Sequence, residues 1–452
     1  MRSKLAKKTT QRLAAAVAIF LLSQGSGGAQ SGQHETDNTI RFFEWKVSQD
    51  SDDFFNYDRL GVAYIQKARE TGDVEYYNLA ERALKKSLEL ESTSPQAAPA
   101  KEHLATVYYA NHRFGESLAL AQEAIELNPT NSTPYALIGD ARSEMGEYSA
   151  AWAAYRQLQN SRGSQTAASG FQYLEESRES AQCFLTGDTK AAIDHMRRAV
   201  DLSVGSRMAR ETIAWSYFTL GEDYFQAGNL TDAEAAYNDA LKNYPDYHRA
   251  LAGSAKVASA EGRLDEAIGL YRKAIGIIPL PAYAAALGDV YTRAEQPVEA
   301  RKQYDLVEYI GRLNSFNRIV YNRELSAFYA DHDIHPKEAL ELARKEFEVR
   351  HDIYTWDNLA WSLYRNNRQQ EAAAAMKEAL SLDTKDALLF FHAGMIYERL
   401  GDNEKARDYL QRAIALNPQF HLMHADVARA TLQKLSNGAL SPVEQRTAGA
   451  RP

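Results

Sequence analysis

Small, aromatic and other apolar residues recur along the chain with a period of 34 residues. One unit of the pattern contains Leu220, Gly221, Tyr224, Gly228, Ala233, Tyr237, Ala240 and Pro245. The next unit contains, 34 residues further on, Ser254, Ala255, Ala258, Gly262, Ala267, Tyr271, Ala274 and Pro279. Within each unit the apolar positions form two groups, and each group has the three- and four-residue spacing of one helix face. The pattern therefore predicts a pair of helices in every unit.

Glycine and proline mark the ends of the predicted helices. A glycine separates the two groups in several units, where a residue that tolerates positive φ can end the first helix. These glycines are Gly146, Gly187, Gly228, Gly262 and Gly401. A proline follows the second group in four units and prevents that helix from continuing. Each unit is thus predicted to be a helical hairpin with a tight turn.

This arrangement of small, aromatic, glycine and proline positions resembles the tetratricopeptide repeat. The resemblance recurs in about ten units between residues 54 and 418. A single hairpin of this kind cannot bury both of its apolar faces, but stacked hairpins can. The resemblance implies an all-α fold, a right-handed superhelical solenoid of about ten helix-turn-helix repeats.

The pattern also divides the chain into segments. Repeats one to three are predicted in residues 54–160 and repeats four to ten in residues 171–419, separated by a Ser- and Gly-rich loop at 161–170. Residues 30–53 are predicted to be a polar, loosely ordered N-terminal segment. Residues 420–435 are predicted to form a capping helix with a polar side, and residues 436–452 a disordered tail.

The first 29 residues have the layout of a secretory signal peptide. Five basic residues and no acidic residue come first, the apolar run Leu13–Leu22 follows, and small residues lead to a cleavage site predicted after Ala29. An uncleaved membrane anchor and a mitochondrial presequence are the alternatives. We expect an exported protein, periplasmic or secreted, with no stable membrane span after cleavage.

Cleavage would change the net charge from −8 to −13. Such an acidic chain is a poor ligand for a phosphate backbone, so we expect no nucleic-acid partner. The oligomeric state is left open by the sequence. We expect no cofactor and no enzymatic activity, because neither a Gly-rich phosphate loop nor a hydrolase motif occurs.

Two features of the sequence contain residues that could form a chemical site. The single cysteine, Cys183, falls at a repeat position that is usually packed in the core, so a small buried side chain is expected rather than a nucleophile. The turn from Asp331 to His335 contains four possible metal ligands. The favoured interpretation is a polar helix turn in which Asp333 caps the next helix and Pro336 opens it, so no metal site is predicted.

Function is expected in the groove that the first helices of such repeats line. Aromatic residues at groove positions are suited to anchor a peptide, because large rings bury much area at little entropic cost. The alternative is that they pack against neighbouring repeats or cover a tightly wound groove. The candidate groove residues are Trp215, Phe218, Phe225, Tyr354, Asp357, Asn358, Trp361, Tyr364, Phe391 and Arg399.

The sequence therefore predicts an exported, non-catalytic scaffold that binds protein or peptide segments in the concave face of a solenoid. The alternative function is an accessory protein of polysaccharide secretion or glycan binding in the cell envelope, since rows of aromatic side chains can also stack on sugars. The sequence identifies neither the partner nor the pathway.

Overall fold

A computed structural model describes residues 30–160, 169–317 and 322–438. The predicted signal peptide, most of the predicted 161–170 loop and the tail beyond residue 438 lie outside the described residues. Within the described part no helix is long and apolar enough to cross a membrane.

The described residues form 22 α-helices in chain order. The N-terminal half contains α1 (Gln30–Gln49), α2 (Phe54–Thr71), α3 (Glu75–Leu90), α4 (Ala98–Ala110), α5 (Phe114–Leu127), α6 (Pro134–Glu144), α7 (Tyr148–Asn160), α8 (Ser169–Leu185), α9 (Thr189–Gly205), α10 (Arg210–Gln226) and α11 (Leu230–Asn243). The C-terminal half contains α12 (His248–Ala260), α13 (Leu264–Ile277), α14 (Pro281–Arg293), α15 (Pro297–Asn317), α16 (Asn322–Asp331), α17 (Pro336–Phe347), α18 (Ile353–Arg365), α19 (Gln369–Ala379), α20 (Ala387–Leu400), α21 (Asn403–Leu416) and α22 (His424–Gly438).

Helices α2 to α21 pair as ten antiparallel hairpins, each packed on the next, which confirms the predicted all-α solenoid. In each hairpin the even-numbered helix, from α2 to α20, comes first in the chain and is called the first helix; the odd-numbered helix is called the second helix. Small residues allow the close approach: a Cβ added to Gly221 would lie 2.5 Å from the ring of Tyr237 on the partner helix. The predicted turn glycines have the expected left-handed backbone, with φ of 75° at Gly146 and 82° at Gly401.

The N-terminal segment differs from its prediction. Residues 30–49 form helix α1 rather than a loosely ordered stretch. Ile40, Phe43 and Val47 are spaced along one face of this helix and pack against the core of the first hairpin. The prediction of loose order is therefore wrong. It failed because only three apolar residues, spaced among mainly polar ones, form the buried face of this helix.

The predicted capping helix also begins later than expected. Helix α22 starts at His424, and residues 417–423 form an irregular connector between α21 and α22. The imidazole Nδ1 of His421 accepts the backbone N–H groups of Met423 and His424 at 3.2 and 3.3 Å, which occupies donors at the start of the helix. The helix therefore begins at His424 rather than at residue 420 as predicted.

Successive turns of the superhelix touch each other. The backbone N–H of His351 donates to the carbonyl oxygen of Glu144 at 2.9 Å, and the amide of Asn417 donates to the carbonyl oxygen of Phe225 at 2.7 Å. Glu144 also forms an ion pair with Arg350 at 2.8 Å. These partners lie about six repeats apart along the chain, so the solenoid closes on itself along an inter-turn seam.

The connector lies on the surface formed by the first helices. Leu422 packs against the core shared by α12 to α15, and the ring of Phe420 lies 5.7 Å from that of Phe391 on α20. At the start of α22, Asp426 pairs with Arg293 of α14 at 2.8 Å. The chain thus fills part of its own inner face in the C-terminal repeats.

Candidate functional site

The first helices of neighbouring repeats are joined by polar pairs. Each pair links an acidic side chain to a basic or imidazole side chain about one repeat away. The pairs, with their N–O distances, are Asp140 with Arg178 (2.7 Å), Glu222 with Lys256 (2.7 Å), Asp289 with His332 (2.7 Å) and Asp357 with His392 (2.9 Å). These side chains are already paired with one another and are not available to clamp a charged ligand.

Four of the predicted groove residues are buried. Trp361 is 2% exposed, Tyr364 5%, Phe391 1% and Phe225 3%. The ring of Trp361 stacks on that of Tyr364 at 4.7 Å and on that of His392 at 4.2 Å. The expectation that these four rings face an open groove is wrong, because they belong to the cores packed between neighbouring helices, where Phe391 also contacts Phe420 of the connector.

The remaining candidate residues are placed differently. Trp215, Phe218 and Tyr354 are half-buried, and Arg399 is exposed with its guanidinium 5.2 Å from the centre of the Tyr364 ring. Asp357 is buried in its pair with His392. Asn358 is also buried, and neither of its amide atoms has a hydrogen-bond partner within the described chain. The structure therefore brings the C-terminal candidates together as a core rather than as a groove.

A histidine cluster lies where the connector meets the first helices. We use this name for Asp331, His392, His421 and His424. The carboxylate of Asp331 accepts hydrogen bonds from Trp361 Nε1 at 2.9 Å and from His424 Nε2 at 3.0 Å. The rings of His421 and His424 stack with their centres 4.3 Å apart. Sequence reasoning singled out Asp331 but could not place it beside histidines about 90 residues away.

The electrostatics of this cluster follow from burial and mutual contact. Burial alone would raise the pKa of Asp331, but the hydrogen bond and charge of His424 lower it well below its usual range. Burial lowers the pKa of His421 to about 4, with help from neighbouring His424. Burial also opposes the charged form of His392, but the charge and hydrogen bond of Asp357 raise its pKa.

The other two chemical candidates behave as ordinary structural residues. Cys183 is half-buried, and burial together with nearby Asp188 raises the pKa of its thiol, which disfavours a reactive thiolate. Helix α17 begins at Pro336 as predicted, but the residue before it is His335 and no side chain caps it. The prediction that Asp333 caps this helix is wrong.

An accessible cleft lies on the outer side of repeats two and three, between the second helices α5 and α7. Its volume is about 590 Å³, and first helix α6 forms its floor. The outer cleft is lined by Gln122, Ile125, Glu126, Tyr135, Ile138, Arg142, Ala150, Ala153, Ala154 and Gln157. Volumes of this size suit ligand and peptide side chains. The alanines of α7 are the sequence feature that could have indicated the cleft, because they leave room on that helix.

Asp223, on first helix α10, makes a pH-dependent contribution to stability. Burial, reinforced by the neighbouring Glu222 carboxylate, raises its pKa from 3.8 to about 7. The folded chain therefore holds a proton that the unfolded chain has already lost, and stability falls as pH rises from about 4 to about 7. The full cost, on the order of 4 kcal/mol, is present above that window.

Asp223→Asn is expected to remove this cost. The melting temperature of the variant should exceed that of the parent chain at about pH 8 and equal it at about pH 4. Scanning calorimetry at both pH values measures the difference, with exposed Asp201→Asn as the control. An equal shift at both pH values would contradict the assignment.

The tetratricopeptide repeat family matches residues 65–132, 177–246, 218–284, 353–386 and 387–420. These matches together cover more than half of the chain. The chain belongs to the tetratricopeptide repeat superfamily. Its repeats support a role as a protein–protein interaction scaffold.

Several known proteins are similar to this chain. The TPR repeat-containing protein MJ1428 of Methanocaldococcus jannaschii is 21% identical over 363 residues, which are 78% of this chain and 55% of the relative. The chain therefore spans about half the length of this curated relative.

Among solved structures, yeast Tom70 is 13% identical with a TM-score of 0.41, and the match covers 92% of this chain and 96% of that one. A tetratricopeptide repeat protein from Parabacteroides merdae is 16% identical with a TM-score of 0.34, covering 59% of this chain and 99% of that one.

Proposed function

We propose that the protein is an exported, non-catalytic scaffold that binds a segment of a protein partner in the outer cleft. The observation that carries the location is the contrast between the two sides of the solenoid. On the inner side four of the predicted aromatic anchors are buried and four acidic side chains are paired, whereas the cleft between α5 and α7 is open to solvent. We therefore propose a binding surface on the outer side of the solenoid instead of the inner groove that the sequence predicts.

The lining of the outer cleft indicates the chemistry of the partner. Ile125, Tyr135 and Ile138 provide apolar surface, and exposed Glu126 provides a negative charge, whereas the guanidinium of half-buried Arg142 is paired with Glu147 at 2.6 Å. A helix that lays an apolar face into the cleft, with charged residues beside it, matches this lining. The small side chain of Ala153 leaves room for it.

The proposed export rests on the basic and apolar layout of residues 1–29. Chain recovered from an envelope extract is expected to begin at Gln30. The glycan-binding alternative gains no support from the aromatic side chains at 361, 364 and 391, because these rings are buried.

A substitution that fills the cleft tests the proposal. Ala153 is exposed on α7 and lines the cleft, so Ala153→Arg adds bulk and charge there without entering the core. We expect partner proteins captured from envelope extract of the source organism by the parent chain to fall at least about tenfold with the variant, the loss of ~1.4 kcal/mol of binding energy. Quantitative mass spectrometry of the captured proteins measures this.

Ser149→Arg is the matched control, because Ser149 is exposed on the same helix but does not line the cleft. The control variant should capture the same partners as the parent chain. Undiminished capture by Ala153→Arg would exclude the outer cleft as the binding site.

A further inference from the structure

We propose that Asp331, His421 and His424 bind one divalent transition-metal ion, with Zn²⁺ as the best-suited class. One ligand atom from each of the three residues lies within 4.8 Å of the other two. Ligands around a tetrahedral Zn²⁺ are about 3.4 Å apart, so small side-chain rotations complete the geometry. Two imidazoles and a carboxylate are a common donor set for this ion.

The three residues come from separate parts of the chain. Asp331 ends first helix α16, His421 belongs to the connector, and His424 begins α22. Their side chains are held in place: Trp361 Nε1 donates to Asp331, and the ring of His424 stacks on that of Phe391 at 4.8 Å. A bound ion would therefore fasten the connector to the inner face of repeat eight.

His392 supplies an independent observation for this site. Its Nδ1 donates to the carboxylate of Asp357 at 2.9 Å, while its Nε2 is buried and has no hydrogen-bond partner within the described chain. A histidine whose one nitrogen is bonded to a carboxylate and whose other nitrogen is unpaired has the arrangement of a metal ligand with its supporting residue. The rings of His392 and His424 have centres 6.3 Å apart, so His392 is a candidate for a fourth ligand.

Other contacts of the cluster would change when an ion binds. His424 Nε2 now donates to Asp331, and an ion bound between these two residues would replace this hydrogen bond by bonds to the metal. Arg365 is the nearby cation, and its guanidinium is directed at the backbone carbonyl of Asp331 rather than at its carboxylate. Among the described residues, therefore, no arginine pairs with the carboxylate of Asp331 in the place of an ion.

A second group of possible ligands provides a contrast. Glu176, Glu179 and His195 also have ligand atoms close together. Here, however, the guanidinium of Arg198 donates to Glu176 at 2.8 Å and lies 2.6 Å from His195 Nδ1. The guanidinium of Arg198 already neutralises Glu176 and competes for His195 Nδ1, so this group is not expected to bind a metal.

Titration of the full chain, carrying no histidine tag, with Zn²⁺ in a calorimeter tests the proposal. We expect one ion per chain, bound at least about 100-fold more weakly by His421→Ala and by His424→Ala. The chain loaded with Co²⁺ should show visible absorption bands that both variants lose. Asp331→Asn, which preserves side-chain shape and an oxygen for Trp361, is expected to weaken binding while circular dichroism shows an unchanged helix content.

His195→Ala is the control variant and should bind Zn²⁺ like the parent chain. Absence of saturable binding by the parent chain would overturn the proposal. So would binding that all three cluster variants retain, or binding that only His195→Ala removes.

Discussion

Trp361→Ala is expected to destabilise the C-terminal repeats by about 3–5 kcal/mol, the usual cost of removing a large buried ring. Trp361 is 2% exposed and contacts Tyr364, His392 and Phe391. The substitution also removes the indole N–H that donates to Asp331. A long repeat array need not unfold in one step, so the effect is measured on the repeats around Trp361 by hydrogen exchange in increasing urea.

Trp45→Ala is the matched control for this prediction. Trp45 lies on α1 and is 56% exposed, so its removal should change stability by less than about 0.5 kcal/mol. If Trp361 were instead a solvent-facing anchor, the two variants would be equally stable. That result would contradict the burial of the predicted groove.

Gly146→Ala and Gly228→Ala are expected to be the other strongly destabilising substitutions. Both glycines have positive φ, which costs an L-residue about 1–2 kcal/mol. In addition, a Cβ at Gly146 would lie 2.5 Å from the carbonyl oxygen of His351, and one at Gly228 would lie 2.6 Å from that of Leu416. Because both oxygens belong to the backbone of the next superhelical turn, relief of the contact requires the turns to separate. We expect a further cost of about 1–3 kcal/mol.

Gly262→Ala and Gly401→Ala separate the two contributions. These glycines have similar φ values of 77° and 82°, but a Cβ there meets nothing within 4 Å. Their variants should therefore show the backbone cost alone. Urea unfolding of all four variants measures the difference, and equal destabilisation would mean that the turns are not in contact.

Local patterns in the sequence were sufficient to predict the hairpins. The spacing of small and aromatic residues identified the paired helices, and turn glycines such as Gly146 and Gly401 adopt the predicted backbone. These features depend on contacts within one repeat or between neighbouring repeats. They are therefore encoded over short distances along the chain.

The site could not be predicted in the same way, because its geometry depends on distant segments. Whether Trp361 is buried depends on how tightly the superhelix winds and on where the connector lies. The contact of His424 with Asp331 joins residues 93 positions apart. A repeat pattern specifies which side of a helix faces inward, but it does not specify whether that side remains open.

The proposal that partners bind on the outer side depends on the closed superhelix. At the start of α18, the backbone N–H of Ile353 donates to the hydroxyl oxygen of Tyr148 in the next turn at 2.8 Å. In an open superhelix this N–H would lie in the first turn of a helix, where it has no partner within that helix.

Hydrogen exchange at the Ile353 N–H tests the closure of the superhelix most directly. It is measured in the parent chain and in Tyr148→Phe, which removes only the hydroxyl group. The closed superhelix predicts a protected Ile353 N–H in the parent chain and faster exchange in the variant. Exchange of Ile353 at the rate of an unprotected amide in both proteins would show that the turns are apart and that the inner face is open to partners.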